Sequence, residues 1–296
     1  MLRFLLRGIL GCFVAQAAAA VPGAELPPAD KPADKSGYTL WNPTPRALMR
    51  EMNTDRPDRT ESPYTVDAGH VQIEADVVSY AYGVENSGPG HTRVDAFAFA
   101  PLNFKVGLCN SADFQMVVPT YNSIYVRRSG TSHTDRISGF GDLVTRVKVN
   151  LWGNDGGDTA FAIMPFVRWP TSSAGVGNDN IEGGIILPLS VALPRGWTMG
   201  TMLEVDFNDD DDLISRHTAV INSITFSHSI LGDLSGYVEF FSDLDTGSDA
   251  APWRATADFG LTYQVTPDLQ LDAGVNVGLT RASETLNTFL GISMRF

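Results

Sequence analysis

From Gly69 to the last residue, Phe296, the chain is built from short segments in which apolar and polar residues alternate. The clearest copy is 269–279, where Leu269, Leu271, Ala273, Val275, Val277 and Leu279 alternate with Gln270, Asp272, Gly274, Asn276 and Gly278. A period of two gives a β-strand with one apolar and one polar face. Twelve such strands are predicted: 69–82, 92–106, 112–124, 140–152, 159–169, 181–193, 197–208, 217–230, 234–243, 253–265, 269–279 and 287–296. A soluble sandwich would bury the apolar faces, whereas a membrane barrel turns them to lipid and keeps the polar faces in the lumen.

Loop lengths and tryptophans decide between the two. The connections 107–111, 153–158, 194–196, 231–233 and 266–268 are tight; most of the others, 83–91, 125–139, 170–180, 209–216, 244–252 and 280–286, are longer and polar. That sorting fits periplasmic turns and external loops, and an even strand count leaves both barrel ends on the periplasmic side. Trp152 and Trp197 fall at the predicted periplasmic strand ends and Trp169 and Trp253 at the external ones, as aromatic girdles require. The expected fold class is all-β, a closed antiparallel transmembrane β-barrel of about twelve strands. Pro165 and Pro188 sit inside predicted strands, where each removes a ladder donor.

The first 20 residues read as a signal peptide: Arg3 and Arg7, an apolar stretch from Gly8 to Val14, and Ala18-Ala19-Ala20 ahead of Val21. Residues 21–66 carry eight prolines and read as a periplasmic leader or plug, with a short helix predicted from Pro45 to Met52 behind Thr44. Residues 67–296 form the barrel. Outside the signal only Cys109 remains, so no intrachain disulfide forms. With 21 basic against 34 acidic residues and no basic face, nucleic acid is not an expected partner.

On the polar faces, Glu74, Asp76, Arg93, Asp95, Lys105, Asp142, Arg146, Lys148, Glu204, Glu239, Arg254, Asp258, Asp272 and Arg295 are expected to line the lumen, with Asp113, Glu182 and Asp206 beside them. In 92–106 this leaves Val94, Ala96, Ala98, Ala100, Leu102, Phe104 and Val106 for lipid. A narrow barrel favours mutual pairing of these charges over an open cation path by about two to one. The Asp55/Arg56/Asp58/Arg59/Glu61 cluster either enters the periplasmic mouth or stays a solvated leader, with even weight.

Asp209-Asp210-Asp211-Asp212 lacks the glycine and terminal acid of a calcium loop, and the five histidines show no metal spacing. Phe226-Ser227-His228-Ser229-Ile230 is the Ser/His cluster nearest a strand and the basis of a phospholipase-like alternative; polar residues approaching a turn outweigh it. No cofactor and no covalent chemistry are expected.

The final strand, Asn287 to Phe296, resembles the C-terminal signal by which outer-membrane barrels are recognised for assembly, with Leu290, Ile292, Met294 and Phe296 on its lipid face. Thr54-Asp55-Arg56-Pro57-Asp58-Arg59-Thr60-Glu61-Ser62-Pro63-Tyr64-Thr65-Val66, with Gly69 to Glu74, Gly139 to Leu143 and Tyr237 to Glu239, resembles the outer-membrane transporter family of the meta-pathway of phenol degradation over roughly 54–296. The resemblance implies an outer-membrane barrel for passive uptake of small, aromatic or hydrophobic compounds, and offers no catalytic residues. The expected partners are outer-membrane lipid, the barrel-assembly machinery and a small-molecule cargo. A membrane-embedded hydrolase and a closed structural or adhesion barrel are the alternatives.

Overall fold

The computed structural model describes residues 34–85, 91–130, 134–173, 176–209, 216–247 and 253–296. The signal peptide, the first part of the leader and Asp210 to Asp212 of the acidic run lie outside them.

Alternation dictates a sheet whose two faces differ, and the described residues form one antiparallel sheet that closes on itself. Its twelve strands are β1 (Val71–Glu85), β2 (Thr92–Phe99 and Leu102–Cys109), β3 (Ala112–Val118 and Tyr121–Arg128) and β4 (Thr134–Gly139 and Leu143–Trp152). They continue with β5 (Thr159–Trp169), β6 (Glu182–Ala192), β7 (Trp197–Asp209), β8 (Arg216–Leu231), β9 (Leu234–Asp245), β10 (Trp253–Thr266), β11 (Leu269–Gly278) and β12 (Leu286–Arg295). Neighbours in sequence are neighbours in space, and β12 pairs back onto β1. The last residue completes the seam: Phe296 N–H donates to the Val71 carbonyl at 2.8 Å, and the His70 ring bridges the Phe296 and Thr44 carbonyls.

The barrel is inside-out relative to a soluble protein. Glu74, Lys105, Asp113, Lys148, Asp258 and Asp272 are buried, while Leu203, Phe207, Val238, Phe259, Leu261, Leu271 and Leu290 on the other face are exposed. A continuous exposed apolar belt is stable only against lipid. Trp152, Trp169, Trp197 and Trp253 are each 38 to 52% exposed at the strand ends.

Both strand prolines fall where the ladder skips. β4–β5 pairing passes from Arg146↔Phe166 to Val149↔Ile163, around Pro165, and β5–β6 pairing from Met164↔Ile186 to Phe161↔Leu189, around Pro188. Register is the same on either side of each gap, so each proline interrupts the ladder locally without shifting the strands.

Four adjacent strands break together. β1 carries a bulge between Asp76 and Val78; β2 is interrupted at Ala100-Pro101, β3 at Pro119-Thr120 and β4 at 140–142. Ala100 has a φ of 48°, in the left-handed region. The extra residues reverse which face each strand presents. Leu290 faces out, because its neighbour Gly291 faces Arg56 in the lumen. Register then carries the outward face from Leu290 to Val78, from Val78 to Phe99, and by alternation to Phe97, Asp95 and Arg93. This corrects the expectation for Arg93 and Asp95, which point outward, while Val94, Ala96 and Ala98 point in. Strict alternation through 92–106 fails because a bulge inverts everything beyond it.

The helix expected from Pro45 to Met52 is also corrected. Only a 3-10 turn, Arg46–Leu48, forms, without a side-chain cap. Arg50 is instead drawn out of any helix: its N–H donates to Asp67 at 3.0 Å and its guanidinium reaches Asn110 and Thr65.

Candidate functional site

Residues 53–66 run irregularly through the barrel interior. A backbone without secondary structure must find partners for each buried N–H and C=O. Here the inward side chains provide them. Glu74 accepts from Asp55 N–H, Glu239 from Arg59 and Thr60 N–H at 2.9 Å each, Asn154 from Thr65 N–H at 3.1 Å and Asp113 from Val66 N–H at 3.0 Å. In return Gln72 donates to the Asn53 carbonyl at 2.8 Å, Asn150 to Pro63 at 2.9 Å and the Tyr237 hydroxyl to Pro57 at 3.3 Å. The inward polar face acts as a solvent moulded to this one segment.

Charges fasten the same segment. Buried Asp55 sits between Lys148 Nζ at 2.6 Å and Lys105 Nζ, and Lys105 also pairs with Glu74. Arg56 spans Asp76 at 2.6 Å and Asp272 at 2.8 Å. That span passes over Gly291, where any Cβ would collide with the guanidinium. Glu61 pairs with Arg146, and the Arg59 guanidinium lies 4.2 Å over the Phe241 ring. Isolated charges would be costly this deep, so their mutual satisfaction is what allows the segment to stay.

A second set of ion pairs closes the tight-turn end of the barrel. Asp268, in the β10–β11 turn, takes Arg46 and Arg295 at 2.8 Å each. Asp155, in the β4–β5 turn, takes Lys35 at 2.8 Å and Arg50 at 3.3 Å. Partial burial alone would raise both aspartates, but hydrogen bonds from Arg295 and Arg46 to Asp268, and from Lys35 and Asn110 to Asp155, outweigh it and hold both carboxyls below the usual range.

Of the fourteen charges expected in the lumen, eight touch this leader: Glu74, Asp76, Lys105, Arg146, Lys148, Glu239, Asp272 and Arg295, the last through the Arg50 carbonyl at 2.8 Å. Asp258 is fully buried and lies across the β9–β10 ladder from Glu239. Asp142 is used otherwise: it accepts N–H bonds from Thr171, Ser172 and Asn178, and so anchors the β5–β6 loop. Arg254 pairs with Asp243 at 2.9 Å, and both share with Glu204 a cavity of about 430 Å³ on the loop side of the leader. Another cavity, of about 270 Å³, lies on its tight-turn side, bounded by 52–64, Ser190, Thr198 and Gln270. Arg93 and Asp95 take no part, being on the outer wall.

One feature escaped the alternation pattern. Met164, Phe166, Ile186 and Met202 face inward and are buried, joined by Val144, Ile221 and Phe241. Ile221 and Phe241 also line the outer cavity, and the Glu61 N–H points at the Met202 sulfur at 3.4 Å. In β5 the apolar residues occupy both faces, so periodicity carried no signal there.

On β12, Gly291, Ser293 and Arg295 turn inward, which leaves Leu290, Ile292 and Met294 outward; Phe296 is 59% exposed. His228 bonds the Arg195 carbonyl at 3.0 Å and packs on Trp197, 4.8 Å between ring centroids, at the tight-turn rim. Neither contact orients it toward a serine.

The sequence matches the family model described as "Putative MetA-pathway of phenol degradation" over residues 54–296. No curated protein matches the chain by sequence. The fold is similar to that of an outer membrane channel from Pseudomonas putida F1, with a TM-score of 0.55 at 14% identity, covering 82% of this chain and 100% of that one. It is also similar to the translocator domain of the autotransporter NalP from Neisseria meningitidis, with a TM-score of 0.50 at 11% identity, covering 76% of this chain and 88% of that one.

Proposed function

We propose, from the premise that the chain belongs to the family of the MetA pathway of phenol degradation, that it is an outer-membrane channel for passive uptake of small aromatic or hydrophobic compounds. The observation that carries this reading is the apolar patch Met164, Phe166, Ile186, Met202, Ile221 and Phe241 on an otherwise charged inner wall, beside the outer cavity. A water-filled pore for ions has no use for such a surface. A ring with one polar group does: the ring gains from leaving water, and a hydroxyl finds Arg, Asp and Glu partners in the same cavity.

The leader lies between the outer and tight-turn cavities, so passage requires it to shift. Side-chain bonds hold residues 53–66, with no backbone ladder to the wall, so the segment can shift without opening the sheet. In this reading the chain reaches the outer membrane by a cleaved signal peptide, and Leu290, Ile292, Met294 and Phe296 are what the assembly machinery reads. No covalent chemistry is involved.

The test is flux. Purified protein in liposomes should speed entry of a phenolic probe well above empty liposomes, and Phe166→Ala with Met202→Ala should reduce that entry while heat-dependent gel migration, the mark of a folded barrel, is kept. Entry equal to that of empty liposomes would sink the proposal.

A further inference from the structure

The inversion of β1 to β4 places an unusual surface on the outer wall. Tyr80, Arg93, Asp95, Phe97, Tyr125 and Arg127 line a shallow cavity of about 500 Å³ at the loop-side ends of the strands. Register extends it to Arg136, whose partner across the β3–β4 ladder is Tyr125. Directly below, toward the belt, come Phe99, Val78 and Leu290.

Arginine is strongly disfavoured on a lipid-facing strand in hydrocarbon and tolerated near the interface. These arginines therefore mark where hydrocarbon ends on this side of the barrel. Their surroundings hold them ready for an anion. Asp95 does not oppose one, because its two oxygens are taken by Arg93 at 2.7 and 2.8 Å and by the Tyr80 hydroxyl at 2.7 Å. The Arg93 guanidinium rests 4.8 Å over Tyr82. Arg136 is set by Ser123 at 3.2 Å, the Tyr121 hydroxyl at 3.3 Å and the Tyr125 face at 5.3 Å. Arg127 and Arg136 are exposed. Arg136, on an aromatic face with its Nη1 donors left over, and the exposed Arg127 beside it suit phosphate.

We propose that this face binds an outer-leaflet lipid with a phosphorylated headgroup, the phosphate on Arg127 and Arg136 and an acyl chain along Phe97, Phe99 and Leu290. Charge complementarity selects the phosphate, and continuity with the apolar belt selects a lipid over a soluble anion. The proposal shares with the channel reading only the membrane placement. The surface is outside the barrel, so failure of phenolic flux leaves it standing.

The experiment is native mass spectrometry of the full-length protein given lipid A bearing both phosphates or its dephosphorylated form. The wild type should retain the phosphorylated form preferentially, and R127Q/R136Q should weaken that preference by about fivefold per arginine. R127K/R136K, which keeps the charge, should preserve most of it, and inorganic phosphate should not displace the lipid. Equal retention of both lipids by the wild type, or an unchanged preference in a heat-shifting R127Q/R136Q, would overturn the assignment. Displacement by inorganic phosphate would overturn it too, reducing the face to a simple ion site.

Discussion

Lys148 Nζ lies 2.6 Å from Asp55 Oδ1, joining the fourth strand to a leader residue ninety-three positions earlier. Both side chains are almost wholly buried. The pair ties an irregular segment to the wall at mid-barrel.

Asp55→Ala should leave Lys105 and Lys148 buried together without their shared carboxylate. Breaking a buried pair from one side costs roughly 3–5 kcal/mol. The barrel ladders do not depend on Asp55, so the leader should come out of the lumen before the barrel unfolds. Single-channel recordings should show larger and more variable conductance, with gel migration still heat-dependent. Conductance identical to wild type would mean that the leader is held by other contacts.

Gly291→Val tests the same closure from the wall. A side chain there occupies the space of the Arg56 guanidinium, which bridges Asp76 and Asp272. Arg56 must swing away, and conductance should rise as for Asp55→Ala, while Arg56→Ala added to Gly291→Val should bring little further change. Full additivity of the two would argue against the shared site.

The clasp at the tight-turn end should weaken in acid. Asp155 and Asp268 have folded-state pKa values below the usual aspartate value of 3.8. A depressed carboxylate contributes stability that is complete above its unfolded value and is lost as pH falls through the folded one. Protease accessibility of residues 34–50 should therefore be flat from neutrality down to about pH 4 and rise below it. In Asp268→Asn the acid-dependent rise should be smaller, from a higher starting level. A rise centred near pH 6 would implicate some other group.

Ala100 holds a left-handed conformation at the β2 break. Glycine adopts it without the Cβ penalty but loses more freedom on folding, so Ala100→Gly should be neutral to stabilising by up to about 1 kcal/mol. The denaturation midpoint in detergent checks it. Marked destabilisation would mean that the Ala100 methyl contributes packing that outweighs its strain.

The four exposed tryptophans at strand ends should lie near the headgroups. Quenching by lipids brominated at different acyl positions should be strongest, for variants retaining only Trp152, Trp169, Trp197 or Trp253, with the shallowest bromine. Quenching strongest at the bilayer centre would move the belt.

The sequence by itself determined the barrel. Alternation with period two, tight turns set against longer loops, and tryptophans at strand ends are local signals, and each follows from what lipid and water demand of a strand. Near Leu269–Gly278 nothing interrupts the pattern, and the faces can be read residue by residue. Only the tertiary structure decided the rest. Arg93 and Asp95 ended outside because bulges on four neighbouring strands align, and a bulge inverts every side chain beyond it. The leader's position depends on pairs such as Asp55 with Lys148 and Arg56 with Asp272, distant in sequence and silent until the barrel closes. The apolar inner patch arises where Met164 and Phe166 come level with Ile186 and Met202, a matter of register between strands that no single strand encodes.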